Sequence, residues 1–555
     1  MGVAGVAYNI ADLFEHAVDA VPDRAALVVD DRPLSFAELD AAANRFAHHL
    51  ADNGLGAGDH VGIYAANCRE WVEAMLGTFK IRAVPINVNF RYVADELRYL
   101  LDNADLKALV FEASLAARVA AVRDELPQLG HLIHVGEPSA DGPDGDTSAA
   151  LAALGSIGYD EAVAAARDER DFGERSPDDL YVLYTGGTTG MPKGVMWRHE
   201  DVFYALGGGI DIMTNEPVSS EWELAETAKA SESSLVSLCL PPLMHGAAQW
   251  STMRFFFAGQ TSVLARRFDP VDTWRLMANW GVNSVIITGD AMGRPMIEAL
   301  EALDADGEQL DLSSLITVAS SAAIFSPTVK DRYLARFPNL LLVDAIGSTE
   351  TGSNGMVMVQ PGHTEMRGGP TVSASRDAVV LDDDLRPLAG TGTGRLARRG
   401  NVPVGYYKDE VKTKATFVTG PTGDRYALAG DAARLEDDGS ITLLGRGSVC
   451  INTGGEKVYP EEVEAALKAH PDIFDAIVVG LPDDRWGQKI TAVIQPRTGA
   501  PALTLSDVSD NCRTKLAGYK VPKMLVLVEK VERSPSGKPD YPWAQKVAQS
   551  ETAAS

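Results

Sequence analysis

From Ser35 onward the chain changes hydrophobic period again and again. Residues 35–53 (SFAELDAAANRFAHHLADN) space Phe36, Leu39, Ala43, Phe46 and Leu50 along one face of a helix, with Ser35 placed as its N-cap. HVGIYAAN then reads as a strand, WVEAMLGTFKI as a helix and AVPINVN as a strand, and the alternation runs on to LLLVDAIGSTE at 340–350. Strands separated by helices return parallel to one another, because a parallel connection needs a crossover. The predicted fold class is therefore α/β: a large N-terminal domain with mostly parallel sheets and flanking helices. After Arg446 the texture changes to a short α+β pattern, with PEEVEAALKAH and LSDVSDNCRTKL as helices and DAIVVG and KITAVIQP as strands. The expected domains are 1–446 and a small C-terminal one, 447–555; a chain of 555 residues is too long for one core of ~250–300 residues. The stretch 136–157, rich in Gly, Pro, Ser and Asp, reads as a surface loop or insertion.

Charge narrows the partners. Lys and Arg total 50 against 77 Asp and Glu, a formal net charge of −27. Such a chain repels phosphate backbones and anionic membranes, so no nucleic acid is expected. No apolar stretch reaches the ~20 residues of a membrane span. Peripheral membrane contact and a homodimer stay open. Cys68, Cys239, Cys450 and Cys512 form no CxxC pair and no zinc-ligand spacing, and Met1 to Phe14 shows no secretory signal. The expected location is cytoplasmic.

Three runs, VNSVIITGD (282–290), LITVASSAA (315–323) and LLLVDAIGSTE (340–350), end as strands with small and polar tails. Ligands of open α/β sheets bind at the carboxyl ends of strands, so these tails are candidate sites. The strongest local signal is Thr185-Gly186-Gly187-Thr188-Thr189-Gly190-Met191-Pro192-Lys193-Gly194, directly after the apolar LYVLY. Glycines let backbone N–H groups approach an anion, threonines add hydroxyl donors, and Lys193 adds positive charge. Pro192 and Gly194 around the lysine exclude a Walker A loop.

The segment YTGGTTGMPKG resembles the phosphate loop of the adenylate-forming (ANL) superfamily, of the acyl-CoA synthetase or fatty-acid–CoA ligase type. Further motifs stand in the family's order along nearly the whole chain. Asp344-Ala345-Ile346-Gly347-Ser348-Thr349-Glu350 is similar to "YGxTE", Ser320 to Ala323 to "GGAP", Tyr426 to Asp431 to "YxTGD", and Ser534-Pro535-Ser536-Gly537-Lys538 to "TxSGK". Ile346 stands where the family carries an aromatic residue, and Ser320 and Ser321 stand for two glycines.

The resemblance implies ATP, Mg²⁺ and CoA as cosubstrates and a mobile C-terminal domain. ATP or AMP would be held by Thr185, Gly186, Gly187, Thr188, Thr189, Gly190, Lys193, Ser321, Asp344, Ala345, Gly347, Ser348, Thr349, Asp431 and Arg446. Metal would sit at Thr185 and Glu350. His245, Trp250 and Ala322 would line the acyl pocket, Gly454 and Gly455 would meet CoA, and Ser448 would be the hinge. Lys538, Glu350, Thr185 and Lys193 carry the catalytic expectation. The implied reaction joins a carboxylic acid to CoA through an acyl-adenylate. The aromatic and small residues after His245 suggest a bulky apolar acid: a medium or long fatty acid, or a sterol side-chain acid. Two alternatives stand beside it: a ligase that loads a carrier protein, and a non-catalytic adenylate-binding protein.

Overall fold

A computed structural model describes residues 8–138, 147–185, 191–211, 214–359, 369–446, 449–453, 456–483, 486–534 and 537–554. The chain divides into two compact units. One comprises residues 1–285, 311–314 and 401–417, and the other residues 286–310, 315–400 and 418–555.

The first unit is built on an eight-stranded sheet. Its order is Gly405–Tyr406, Lys193–Arg198, Leu180–Thr185, Val84–Asn87, His60–Tyr64, Leu106–Glu112, His131–Val135, Ile157–Gly158. From Leu180–Thr185 to Ile157–Gly158 every neighbouring pair is parallel. The central strand His60–Tyr64 is buried along its length, which is why it reads as continuous rather than alternating hydrophobicity. The helix read from residues 35–53 forms as Phe36–Asp52. Ser35 caps it: its hydroxyl accepts from the Glu38 N–H at 3.1 Å while Glu38 accepts from the Ser35 N–H at 2.8 Å, a reciprocal capping box. Within 136–157 the structure adds a helix, Thr147–Leu154, where the sequence reading had only loop. Its TSAALAAL run is rich in the best helix formers, and that local preference outweighs the loop-like composition before it.

In the second unit the parallel pairing ends early. Thr317–Ser320 and Leu341–Ser348 are parallel, but Leu341–Ser348 turns straight back into Gly352–Val359, and a turn that short admits only antiparallel pairing. Thr371–Ala374, Ile441–Arg446, Asp431–Leu435 and Gly392–Arg399 follow across the sheet, each antiparallel to its neighbour. The last hundred residues form the α+β pattern read from the sequence. Ile473–Asp483 and Gly487–Pro496 pair antiparallel, Met524–Leu527 joins parallel, and Pro460–Lys468, Leu505–Arg513 and Tyr541–Ala554 are helices. The two sheet faces bury alternate residues: Val478 enters a cluster with Val463, Leu467 and Val508, while Ile477 and Val479 enter one with Val526, Val531 and Ala544. Among the described residues no helix is long and apolar enough to cross a membrane.

Candidate active site

The phosphate-loop segment is the connection of a β-hairpin. Leu180–Thr185 pairs antiparallel with Lys193–Arg198, and Thr185 stands directly opposite Lys193 at the mouth. A hydroxyl and an ammonium therefore flank the entry to the loop. Gly186, Gly187, Thr188, Thr189 and Gly190 lie outside the described residues. Lys193 Nζ is 3.0 Å from Asp409 Oδ2 and 5.7 Å from the centre of the Tyr406 ring. The Lys412 N–H, together with Lys193, holds the Asp409 carboxyl below its usual range.

The root of this hairpin is fixed by a residue that the sequence reading passed over. Asn87, 5% exposed, donates from Nδ2 to the Tyr184 carbonyl at 2.8 Å and to the Met244 carbonyl at 2.7 Å. Its Oδ1 accepts the Tyr184 N–H at 2.8 Å. One buried amide thus ties the strand Leu180–Thr185 to residues 241–245, PPLMH. The segment is pinned again by Asn67, which accepts the Leu243 N–H at 2.8 Å, and by Gln249, which donates to the Leu243 carbonyl at 2.8 Å and accepts from Tyr181 at 2.7 Å. The signal was present: Asn87 is a polar residue closing an apolar strand, and buried polar groups need partners. His245 follows as the N-cap of the helix Gly246–Phe257. Trp250, on that helix, is 3% exposed and packs edge-on against Tyr181, with ring centres 4.9 Å apart.

In the second unit the adenine candidates gather at strand carboxyl ends, as the switch-point rule leads one to expect. Ser320 closes Thr317–Ser320 and stands beside Asp344 of the next strand. The Ser320 hydroxyl accepts the Gly289 N–H at 3.1 Å. Ser321 donates its N–H to the Ile287 carbonyl at 3.3 Å, and the Ala323 N–H folds back onto the Ser321 carbonyl at 2.8 Å. That turn holds Ala322 at φ +66°, a left-handed conformation that costs a residue with a Cβ about 1–2 kcal/mol. Asp344 accepts from Lys330, a lysine only 2% exposed that the sequence reading also missed. Burial pushes the Asp344 carboxyl up, and Lys330 opposes the rise. Ile346 is drawn into the sheet's own core with Val372, Val380 and Ile441.

Thr349 and Glu350 sit at the tip of the hairpin between Leu341–Ser348 and Gly352–Val359. A Cβ on Gly347 would lie 2.4 Å from the Gly352 carbonyl oxygen, so glycine permits the close crossing beneath the tip. The turn is braced by Thr351, whose N–H donates to the Ser348 hydroxyl at 3.2 Å and whose hydroxyl accepts from Asn354 at 2.8 Å. Ala345 lies on the same strand, paired with Met356.

Asp431 and Arg446 face each other across Asp431–Leu435 and Ile441–Arg446, so two residues fifteen apart in sequence become cross-strand neighbours. Of Arg446 only the backbone is described. Gly445 beside it has φ +120°, and a Cβ there would lie 2.1 Å from Glu461 Oε2. Ser448, Gly454 and Gly455 lie outside the described residues; Thr453 and Glu456, which bracket the two glycines, pair with each other. Lys538 is exposed on a short turn in which its carbonyl accepts the Ser534 N–H at 2.8 Å and its N–H donates to the Ser534 hydroxyl at 3.1 Å. A Cβ on Gly537 would meet Thr288 and Ala291 at 3.0 Å. The lysine's turn therefore rests at the head of the helix Gly289–Ala305, whose first N–H binds Ser320.

The family model for AMP-binding enzymes matches residues 14–407, and the model for the AMP-binding enzyme C-terminal domain matches residues 462–538. The chain belongs to the AMP-binding enzyme family. Within that family it is 50% identical over 543 residues to the 3-oxocholest-4-en-26-oate–CoA ligase of Rhodococcus rhodochrous, covering 97% of this chain and 96% of that protein. It is 51% identical over 544 residues to the medium/long-chain-fatty-acid–CoA/3-oxocholest-4-en-26-oate–CoA ligase of Mycobacterium tuberculosis, covering 98% and 96%. Among solved structures, the anthranilate CoA ligase AuaEII with anthranoyl-AMP shares the fold at a TM-score of 0.82 and 21% identity, covering 99% of this chain and 98% of that one.

Proposed function

We propose that this AMP-binding enzyme is an ATP-dependent acyl-CoA ligase for medium or long fatty acids and sterol side-chain acids, working through an acyl-adenylate. The observation that carries the reading is the hairpin with Thr185 opposite Lys193, supported by half-identity to acid–CoA ligases over nearly the full length. In the first half-reaction the acid's carboxylate attacks the α-phosphorus of ATP and pyrophosphate leaves. The chain's work is to hold like charges together and neutralise charge as it develops. Lys193 and the threonine loop receive the leaving phosphates, and Thr349 donates to the α-phosphate. Asp344 accepts from the adenine amino group, Ser321, Ala345, Gly347 and Ser348 border the base, and Asp431 with Arg446 takes the ribose. Lys538 bridges the carboxylate and the ribose side of the phosphate. Mg²⁺ bound with ATP would supply neutralisation of phosphate charge, and Glu350 and Thr185, a carboxylate and a hydroxyl, would hold it with the oxygen ligands a hard cation takes.

In the second half-reaction the residues beyond 446 turn about Ser448, withdraw Lys538 and bring in Gly454 and Gly455. The CoA thiolate then attacks the acyl carbonyl and AMP leaves. The domain boundary at 446/447 follows from this reading, with the two family models matching on either side of it. We assign His245, Trp250 and Ala322 to the acyl pocket. None of the four cysteines is in a disulfide among the described residues, in keeping with a reducing cytoplasm.

The test is AMP release with ATP, CoA and a panel of fatty and sterol acids, followed by Lys538→Ala. The variant is expected to lose acid-dependent pyrophosphate exchange by ~10²–10³ while still making thioester from supplied acyl-adenylate. Equal loss in both steps refutes the two-conformation mechanism.

A further inference from the structure

The turn that carries Lys538 is held from behind by one arginine. Arg533 pairs with Pro539 in an isolated β-bridge, so the chain returns on itself around the lysine. Within the turn the Gly537 N–H donates to the Ser534 carbonyl at 2.8 Å. Gly537 has φ +75°, a left-handed conformation that suits glycine. The Arg533 side chain reaches this turn, and its Nη1 donates to the Gly537 carbonyl at 3.0 Å. That carbonyl belongs to the peptide bond leading into Lys538.

The other edge of the guanidinium is fixed to Asp475. Nε donates to Oδ2 at 2.6 Å and Nη2 to Oδ1 at 2.7 Å, a fork on one carboxylate. Asp475 stands at the irregularity in the pairing of Ile473–Asp483 with Gly487–Pro496, and its Oδ1 also accepts the Ala476 N–H at 2.8 Å. Lys468, the last residue of the helix Pro460–Lys468, lies 3.3 Å from the same oxygen with its side chain 3% exposed. The side chains of Arg533 and Asp475 are 13% and 14% exposed. Burial pushes the Asp475 carboxyl up, but Lys468 and Arg533 outweigh it and hold the group well below its usual range. The arginine is thus a strut between the sheet and the peptide before Lys538. A lysine side chain is long and flexible, so its ammonium is placed only as well as its backbone is. A displacement of about 1 Å at a reacting group can cost about 100-fold in rate.

We propose that Arg533 is a positioning residue for the first half-reaction: by tying the Gly537 carbonyl to Asp475 on the sheet, it sets the backbone from which Lys538 reaches the reacting groups. The inference rests on the ligase reading above, which gives Lys538 that task. The second half-reaction, from which that reading withdraws Lys538, does not depend on Arg533.

Arg533→Lys tests it. Lysine keeps a cation beside Asp475 but lacks the planar fork that serves the carboxylate and the carbonyl together. With dodecanoate, acid-dependent pyrophosphate exchange is expected to fall about 10- to 100-fold in kcat, with KM for ATP within about 2-fold of wild type. Thioester formation from supplied dodecanoyl-adenylate and CoA should stay within about 2-fold. The decisive readout is Arg533→Lys in a Lys538→Ala background: with no ammonium left to place, the second change should alter the residual exchange by less than about 2-fold. Losses that multiply in the double variant overturn the proposal, and so do equal losses in both half-reactions. Urea denaturation checks folding. If Arg533→Lys does not fold, Arg533→Gln is read in its place; failure of both makes the arginine structural and overturns the proposal. Wild type that turns over no acid refutes the ligase reading, and undiminished exchange in Lys538→Ala refutes the lysine's task, each taking the proposal with it. Loss in Lys538→Ala with full exchange in Arg533→Lys refutes the positioning role alone.

Discussion

Replacing Asn87 by alanine tests how the phosphate hairpin is held. The substitution removes three buried hydrogen bonds at once: two donated to the Tyr184 and Met244 carbonyls and one accepted from the Tyr184 N–H. Each bond contributes about 1 kcal/mol net, and a buried group left without a partner costs about 1–3 kcal/mol. Water entering the space left by the amide would satisfy part of the loss, so the expected destabilisation is about 3 kcal/mol. At ~2.1 cal/mol/K per residue, a unit of about 300 residues shifts by about 1.5 °C per kcal/mol, giving a fall of roughly 5 °C. Calorimetry without nucleotide measures it. Because the lost bonds lie at the base of the hairpin and at the turn before His245, KM for both ATP and the acid should rise at temperatures where the protein is still folded. Asn87→Asp should be no better: it keeps the acceptor for Tyr184 but sets a carboxylate against two carbonyl oxygens. A melting point within about 2 °C of wild type, with both KM values unchanged, would refute the claim that this amide organises the site.

Two further perturbations probe buried charge. Lys330→Met leaves the Asp344 carboxylate without its partner and should destabilise by about 3–5 kcal/mol, while Lys330→Met with Asp344→Asn should recover most of that loss; a strictly additive double mutant in urea denaturation would count against the pairing. Glu73, 3% exposed on the helix Arg69–Lys80, has its carboxyl pushed up to about 7 by burial, against the pull of Arg69. A folded-state pKa above the unfolded value means that its contribution is fully present below about 4.5 and is lost as pH rises through about 7. Glu73→Gln should therefore raise the melting point at pH 8 and leave it nearly unchanged at pH 4.5; a gain of equal size at both would show that charge is not the cause.

The parts of this chain legible in the sequence were those fixed by local rules. Ser35 as the N-cap of its helix, DAIVVG and KITAVIQP as strands, and the order of the nucleotide motifs each follow from residues close together in sequence. Long-range consequences were harder to read. Asn87 is separated by about a hundred residues from one partner and more from the other, so its role appears only when two segments meet. Nothing local marks Lys330; it is buried against Asp344, fourteen residues on in the next strand. Ala322 gave no sign of strain, since alanine is neutral in most contexts and only the closure of the turn by Ser321 and Ala323 forces its backbone. Asp431 and Arg446 were recognised as motif residues, but their direct opposition depends on the register of two strands.

The same contrast between local and long-range effects separates Lys193 from Lys330. The chain carries a net charge of −27, yet ATP, the acid and CoA are all anions. At physiological ionic strength charges are screened beyond about 8 Å, so the distant carboxylates matter little and the nearest ion pairs decide. Lys193 and Asp409 are 3.0 Å apart with side chains 35% and 32% exposed, and a pair in that much water is worth about 0–1 kcal/mol. Little would be lost if a phosphate took the place of Asp409 at the hairpin mouth, as the proposed reading requires. The side chains of Lys330 and Asp344 are 3% and 18% exposed, and separating them would strand a buried charge. That lysine is therefore not available to a phosphate; it fixes the direction of the Asp344 carboxylate. Exposure, more than charge or motif membership, distinguishes the cation that is handed to the ligand from the cation that belongs to the scaffold.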